Sequence, residues 1–178
     1  MSKFNRRLRL QGALYTLDYQ VEHKMPFIAT QQLAMNNNPV RLKIAHMYKT
    51  RPRDTLWYSM SHRLLLSRKS VVRTWALGRS RVAFRKALEE RGYDRDGRAI
   101  PSVPRAKEEE KRLTSLRGTA DFTVREEVIK AKFSDIEKDM RHIVDRMIKT
   151  SLAAPVADKD KVSPVQQRVL YTKPRKAA

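Results

Sequence analysis

The stretch RLKIAHMYKTRPRDTLWYSMSHRLLLSRKSVVRTWALGRSRVAFRK, residues 41–86, holds thirteen Lys and Arg against the single acid Asp54. Its local charge is +12, out of +20 for the whole chain of 178 residues. The same stretch carries Ile44, Met47, Tyr48, Leu56, Trp57, Met60, Leu64, Leu65, Val71, Val72, Trp75, Val82 and Phe84, so charge and core share one segment. Folding it crowds like charges together, and that self-repulsion calls for a polyanionic partner or salt. Nucleic acid is the expected partner. An anionic membrane surface is the alternative that basic clusters also serve, but the aromatic residues here lie inside the basic region and no strongly apolar helix accompanies it.

Working outward from this stretch, the helical periods predict a chain of short helices. Asn38 as N-cap and Pro39 at the first helical position open one that sets Val40, Ile44, Met47 and Tyr48 on one face, and Arg51-Pro52-Arg53 ends it. Asp54 is expected to cap a second helix over 55–66, with Trp57, Met60 and Leu64 as its inner face. After a break at 67–70 another helix starts at Val71. A single rod from 70 to 91 would split Val71, Trp75 and Val82 from Leu77, Phe84 and Leu88, so a further break is expected near Gly78, with Ser80 capping a fresh helix and Gly92 stopping it.

Upstream, Leu10, Leu14, Leu17 and Val21 recur at one helix face, and the first seventeen residues carry Lys3, Arg6, Arg7 and Arg9 without an acid. An Arg-rich, acid-free amphipathic start suits either a matrix-targeting segment or a basic helix facing RNA. A short helix opened by Pro26 and closed by the Asn run 36–38 follows. Downstream, residues 92–104 read as loop. Asp94, Asp96 and Gly97 begin like a calcium loop, but no Glu closes it at the required spacing. Residues 105–117 read as a short solvated helix ended by Gly118.

Thr123 and Glu126 fit a capping box for a long helix over 123–152, whose Ile129, Phe133, Ile136, Met140, Ile143 and Met147 follow the 4, 3, 4, 3, 4 spacing of a heptad seam. This seam is the expected protein-contact face, on the chain's own basic helices or on a partner. From residue 153 three prolines and a lack of period predict an extended tail with Lys173, Arg175 and Lys176 at its end.

The expected fold is therefore all-α, with several short basic helices packed on one long C-terminal heptad-patterned helix and with extended termini. The expected organisation is a basic N-terminal helix over 1–25, a helical domain over 26–152 with its basic part at 41–91, and an extended basic tail over 153–178.

The sequence offers no catalytic constellation. His23, His46, His62 and His142 show no paired ligand spacing, the five glycines at 12, 78, 92, 97 and 118 do not cluster before a helix, and the absence of cysteine excludes disulfides and thiolate zinc sites. No enzyme activity, metal, cofactor or small-molecule substrate is expected, and no apolar run is long enough to span a bilayer. No apolar segment of the secretory kind follows the basic start.

The functional expectation rests on cations. Arg6, Arg7, Arg9, Arg41, Lys43, Arg51, Arg53, Arg63, Arg68, Lys69, Arg73, Arg79, Arg81, Arg85, Lys86, Lys173, Arg175 and Lys176 are the candidate RNA-binding residues. Arg predominates among them, which suits phosphate because its planar fork engages two oxygens and stacks on bases. Tyr48, Tyr58, Trp57, Trp75 and Phe84 are interleaved, as stacking partners for unpaired bases or as core. Two other readings use the same chain. Residues 55–77 have the outline of a DNA-binding helix-turn-helix, and the 123–152 seam would serve an assembly adaptor.

This small, cysteine-free, strongly basic chain with basic ends and an Arg-rich start resembles the lineage-specific proteins of mitochondrial ribosomes, the fungal large-subunit accessory proteins being the nearest comparison. The likeness is one of overall character. It implies a structural role bound to rRNA and to neighbouring ribosomal proteins in the mitochondrial matrix, or else in a cytoplasmic or nuclear ribonucleoprotein.

Overall fold

The computed structural model describes residues 7–35, 37–66, 68–100 and 115–153. Arg6 and the tail residues Lys173, Arg175 and Lys176 lie outside them, as do most of the expected 105–117 helix and the extended tail. The elements run β1 (Arg7–Gln11), β2 (Tyr15–Gln20), α1 (Phe27–Ala34), α2 (Arg41–Thr50), β3 (Leu56–Ser61), α3 (Ser70–Glu90), β4 (Gly118–Val124), α4 (Glu127–Lys130) and α5 (Phe133–Ala153). The all-α expectation is wrong. The strands form one mixed sheet of order β1-β2-β4-β3, antiparallel except for the parallel pair β3 and β4.

The expected N-terminal helix is a β-hairpin. Arg-Leu-Arg-Leu and Tyr-Thr-Leu-Asp-Tyr-Gln alternate with period two, which sets Tyr15, Leu17 and Tyr19 in the core and Thr16, Asp18 and Gln20 on the opposite face. Leu10, Leu14, Leu17 and Val21 also satisfy a helical period, so the apolar pattern by itself does not separate the two. The aromatic content of β2 and its pairing with β4 decide for the strand.

The expected helix over 55–66 is likewise absent. Leu56, Tyr58 and Met60 share the face of Gly118, Ala120 and Phe122, while Trp57 turns to the other side. A single 3-10 turn, Arg63–Leu65, follows. With a strand in this place the helix-turn-helix pair over 55–77 does not form. Thr123 is likewise no helix cap; it lies within β4, in register with Thr16. The long helix starts ten residues later than the capping box implied, at Phe133.

Two helices cover one face of the sheet. On α3 the buried residues Ala76, Leu77, Ser80, Ala83, Phe84, Ala87 and Leu88 make one continuous stripe, so the helix runs unbroken past Gly78. The expected break rests on an interior place for Val71, Trp75 and Val82. All three are exposed. Ser80 is not a cap: its hydroxyl donates to Ala76 O at 2.8 Å and accepts from the buried Tyr15 hydroxyl at 2.9 Å. On α5 the seam residues Ile136, Met140, Ile143 and Met147 are buried with Val144 in the protein's own core; Ile129 is partly buried and Phe133 is partly exposed.

Ion pairs hold these helices together along their flanks. Arg91 bridges to Asp145 at 2.6 and 2.9 Å, Arg141 to Glu90 at 2.7 and 2.9 Å, and Lys86 to Glu137 at 2.8 Å. The Arg91 fork holds the Asp145 carboxyl below its ordinary range, and Arg141 does the same for Glu90.

On the other face, α1 and the segment leading into it cover the sheet near β3 and β4. The backbone N–H of Phe27 donates to Asp121, Thr119 exchanges hydrogen bonds with the backbone of Lys24, and Trp57 packs edge-on against His23 and Tyr48. Asp121 accepts from the Ser59 hydroxyl at 2.6 Å; its burial nevertheless raises its pKa.

Candidate nucleic-acid interface

The predicted cations divide into two groups. In the first, each guanidinium or ammonium already has a partner within the fold. Arg7 grips Asp18 through Nε and Nη2, Arg9 approaches the same carboxylate at 3.9 Å, and the Asp18 pKa is lowered chiefly by Arg7. Arg68 pairs with Glu126, and Lys86 with Glu137. Arg79 donates to Ala131 O at 3.0 Å and lies over the Trp75 ring at 4.4 Å. Paired cations of this kind have a weaker claim on phosphate, because each must first give up its present partner.

In the second group, Lys43, Arg51, Arg53, Arg63, Lys69, Arg73, Arg81 and Arg85 have no carboxylate within ion-pair distance among the described residues. Arg41 and Lys43 lie on α2 with Lys49, and no acid lies between residues 41 and 53. Asp54 pairs with Arg98, and Glu137 and Asp145 of α5 pair with Lys86 and Arg91. The cationic surface thus lies over α2, the segments flanking β3 and α3, away from the α3–α5 seam. Arg73 adds a detail: its Nε is buried and finds no hydrogen-bond partner.

Between α1, α2, β3 and α3 lies a cleft of about 320 Å³, lined by one of these arginines, Arg81. Ile28, Ala29, Ile44, Met47 and Met60 form its apolar lining, with Tyr48 and Tyr58 beside them and Arg81 on the α3 side. Arg85 reaches the Tyr58 hydroxyl at 3.4 Å, Arg63 lies 5.1 Å above the ring of Phe27, and Arg51 lies 5.5 Å above Trp57, which in turn packs on Tyr48. An arginine held over an aromatic ring keeps its charge while its stem and one face are already ordered, so less entropy is lost when it binds an anion.

The cations were legible in the sequence; the cleft was not. Phe27 and the walls supplied by α1 lie outside the basic stretch, and Tyr58 falls in the helix expected over 55–66, which does not exist. Trp57, expected as core, is buried, whereas Trp75, also expected as core, is half exposed. Among the described residues no group of three or more His, Asp and Glu side chains is placed to hold a metal ion, and no helix is long and apolar enough to cross a membrane. The chain matches no protein-family model, and comparison with curated proteins and with solved structures finds no match.

Proposed function

We propose that this protein is a structural RNA-binding constituent of a ribosome, mitochondrial in location, that docks on rRNA through the cationic surface of α2, α3 and the segments flanking β3. The observation that carries the reading is the set of cations without carboxylate partners on and around α2 and α3, in a chain of net charge +20. A structured RNA supplies the closely spaced phosphates that such a surface neutralises. The mitochondrial compartment rests only on the Arg-rich, acid-free composition of the first seventeen residues, since the amphipathic helix expected there is a β-hairpin.

Gradient sedimentation tests this. At low salt the native protein is expected to travel with a ribosomal subunit and to be released by ribonuclease; sedimentation free of subunits at low salt would remove the proposal. A variant with Arg51, Arg63, Arg81 and Arg85 changed to Gln is expected to flatten the salt dependence of RNA binding by about 0.7–0.9 for each phosphate no longer neutralised, roughly 3 in all. The same changes at Arg7 and Arg68, whose charges already have partners, are expected to alter the slope less.

A further inference from the structure

We propose that the free edge of β3 is a docking site for an extended, acidic segment of a partner protein, which adds to the sheet as another strand. β3 is the terminal strand in the order β1-β2-β4-β3 and pairs on one side only. Leu56 turns its N–H away from β4, donating it at 2.8 Å to Asp96 O. In a parallel pair the N–H and C=O of one residue point to the same side and successive residues alternate, so Tyr58 and Met60 also direct theirs outward. Neither of these N–H groups donates to another described residue.

The cleft opens on this edge. Tyr58, Ser59 and Met60 all line it, and because neighbouring strand residues point to opposite faces, one cleft touches three in a row only from the side of the strand. Exposed edges are usually blunted by lysine, proline or a bulge. The six residues LWYSMS contain no charge and no proline.

The surroundings select the partner. Ile28, Ile44 and Met47 form an aliphatic wall suited to alternate apolar side chains of an incoming strand. Arg81 lines the opposite side, Arg85 lies beside Tyr58, and no carboxylate lines the cleft. The remaining side chains of the added strand are therefore acidic, by charge complementarity. A nucleobase would leave its polar edges against aliphatic carbon, so the peptide is the better fit.

The probe is a short acetylated, amidated peptide of alternating glutamate and valine, titrated into the full chain while the amides of residues 56–61 are followed by NMR. Saturable binding is expected, with slowed exchange at Tyr58 and Met60. Methylating alternate peptide nitrogens should weaken binding about tenfold by removing strand hydrogen bonds. Arg81→Glu should weaken it by a similar factor at low salt, with the unmethylated peptide and the folded spectrum retained.

Absence of saturable binding, or equal affinity of the two peptides, would overturn the proposal. It would also fall if single-stranded oligouridine moved the Tyr58 and Met60 amides in place of the peptide, since the edge would then belong to the RNA surface. The proposal does not depend on the ribosomal reading: a native chain that sediments free of ribosomal subunits would still be expected to bind the peptide.

Discussion

Replacing Gly78 by alanine is expected to stabilise the protein. Gly78 lies inside the 21-residue helix α3, and a Cβ built there meets nothing within 4 Å. The added methyl therefore causes no clash, and it removes the extra backbone freedom that glycine enjoys in the unfolded chain. The gain is about 0.5–1 kcal/mol. For a folded unit of this size that corresponds to a rise in Tm of roughly 2–4 °C.

Urea unfolding followed by circular dichroism measures it, with a higher midpoint and an unchanged slope as the signature of a pure stability effect. Gly78→Pro is the companion variant: in a continuous helix it deletes one hydrogen bond and clashes with the preceding turn, at a cost of about 3 kcal/mol or more. Destabilisation by alanine together with tolerance of proline would refute the continuous helix, because that pair of results describes a chain that breaks at Gly78 and restarts at Ser80.

Gly118→Ala is expected to act in the opposite sense: Gly118 has φ +111°, and a Cβ there would overlap Gln20 O and lie 2.9 Å from Val21 backbone atoms, so backbone strain and overpacking together should cost about 2–5 kcal/mol by the same denaturation assay. Ser80→Ala leaves the buried Tyr15 hydroxyl without its acceptor and should cost about 1–3 kcal/mol, most of it recovered in a background that also carries Tyr15→Phe. Phe84→Ala, which removes a fully buried ring packed on Tyr58 and Phe122, should cost about 3–5 kcal/mol in thermal unfolding. Burial pushes the Tyr15 and Tyr19 hydroxyls up to about 12 from 10.0, so the unfolded chain ionises first. Their stabilising contribution is complete below pH 10 and is lost as pH rises through about 12, and urea midpoints measured across that window should fall.

Local punctuation was legible from residues alone. Pro26 precedes α1, Pro52 follows the end of α2, the break at 67–70 separates β3 and its turn from α3, and Gly92, with φ 71°, follows α3. These signals act through φ/ψ limits and missing donors, which operate within a few residues. The α5 seam was legible too, because its apolar residues repeat over several turns. The strands were not. β3 and β4 are short and carry both periods, and each acquires a partner only from distant sequence: Tyr58 aligns with Ala120 and Tyr15 with Val124. The candidate site followed the same division, since the cations were countable but their pairing was not. Nothing local separates Arg91, which finds Asp145, from Arg81, which lines the cleft.

By itself, then, the sequence of Arg41 to Lys86 determined that a large positive charge must fold together with a core, and where that segment bends. Only the tertiary structure decided that its middle, LWYSMS, is an edge strand. Charge and backbone limits are properties of single residues and their neighbours. Strand pairing and ion pairing are properties of residues that meet only after the chain has closed on itself.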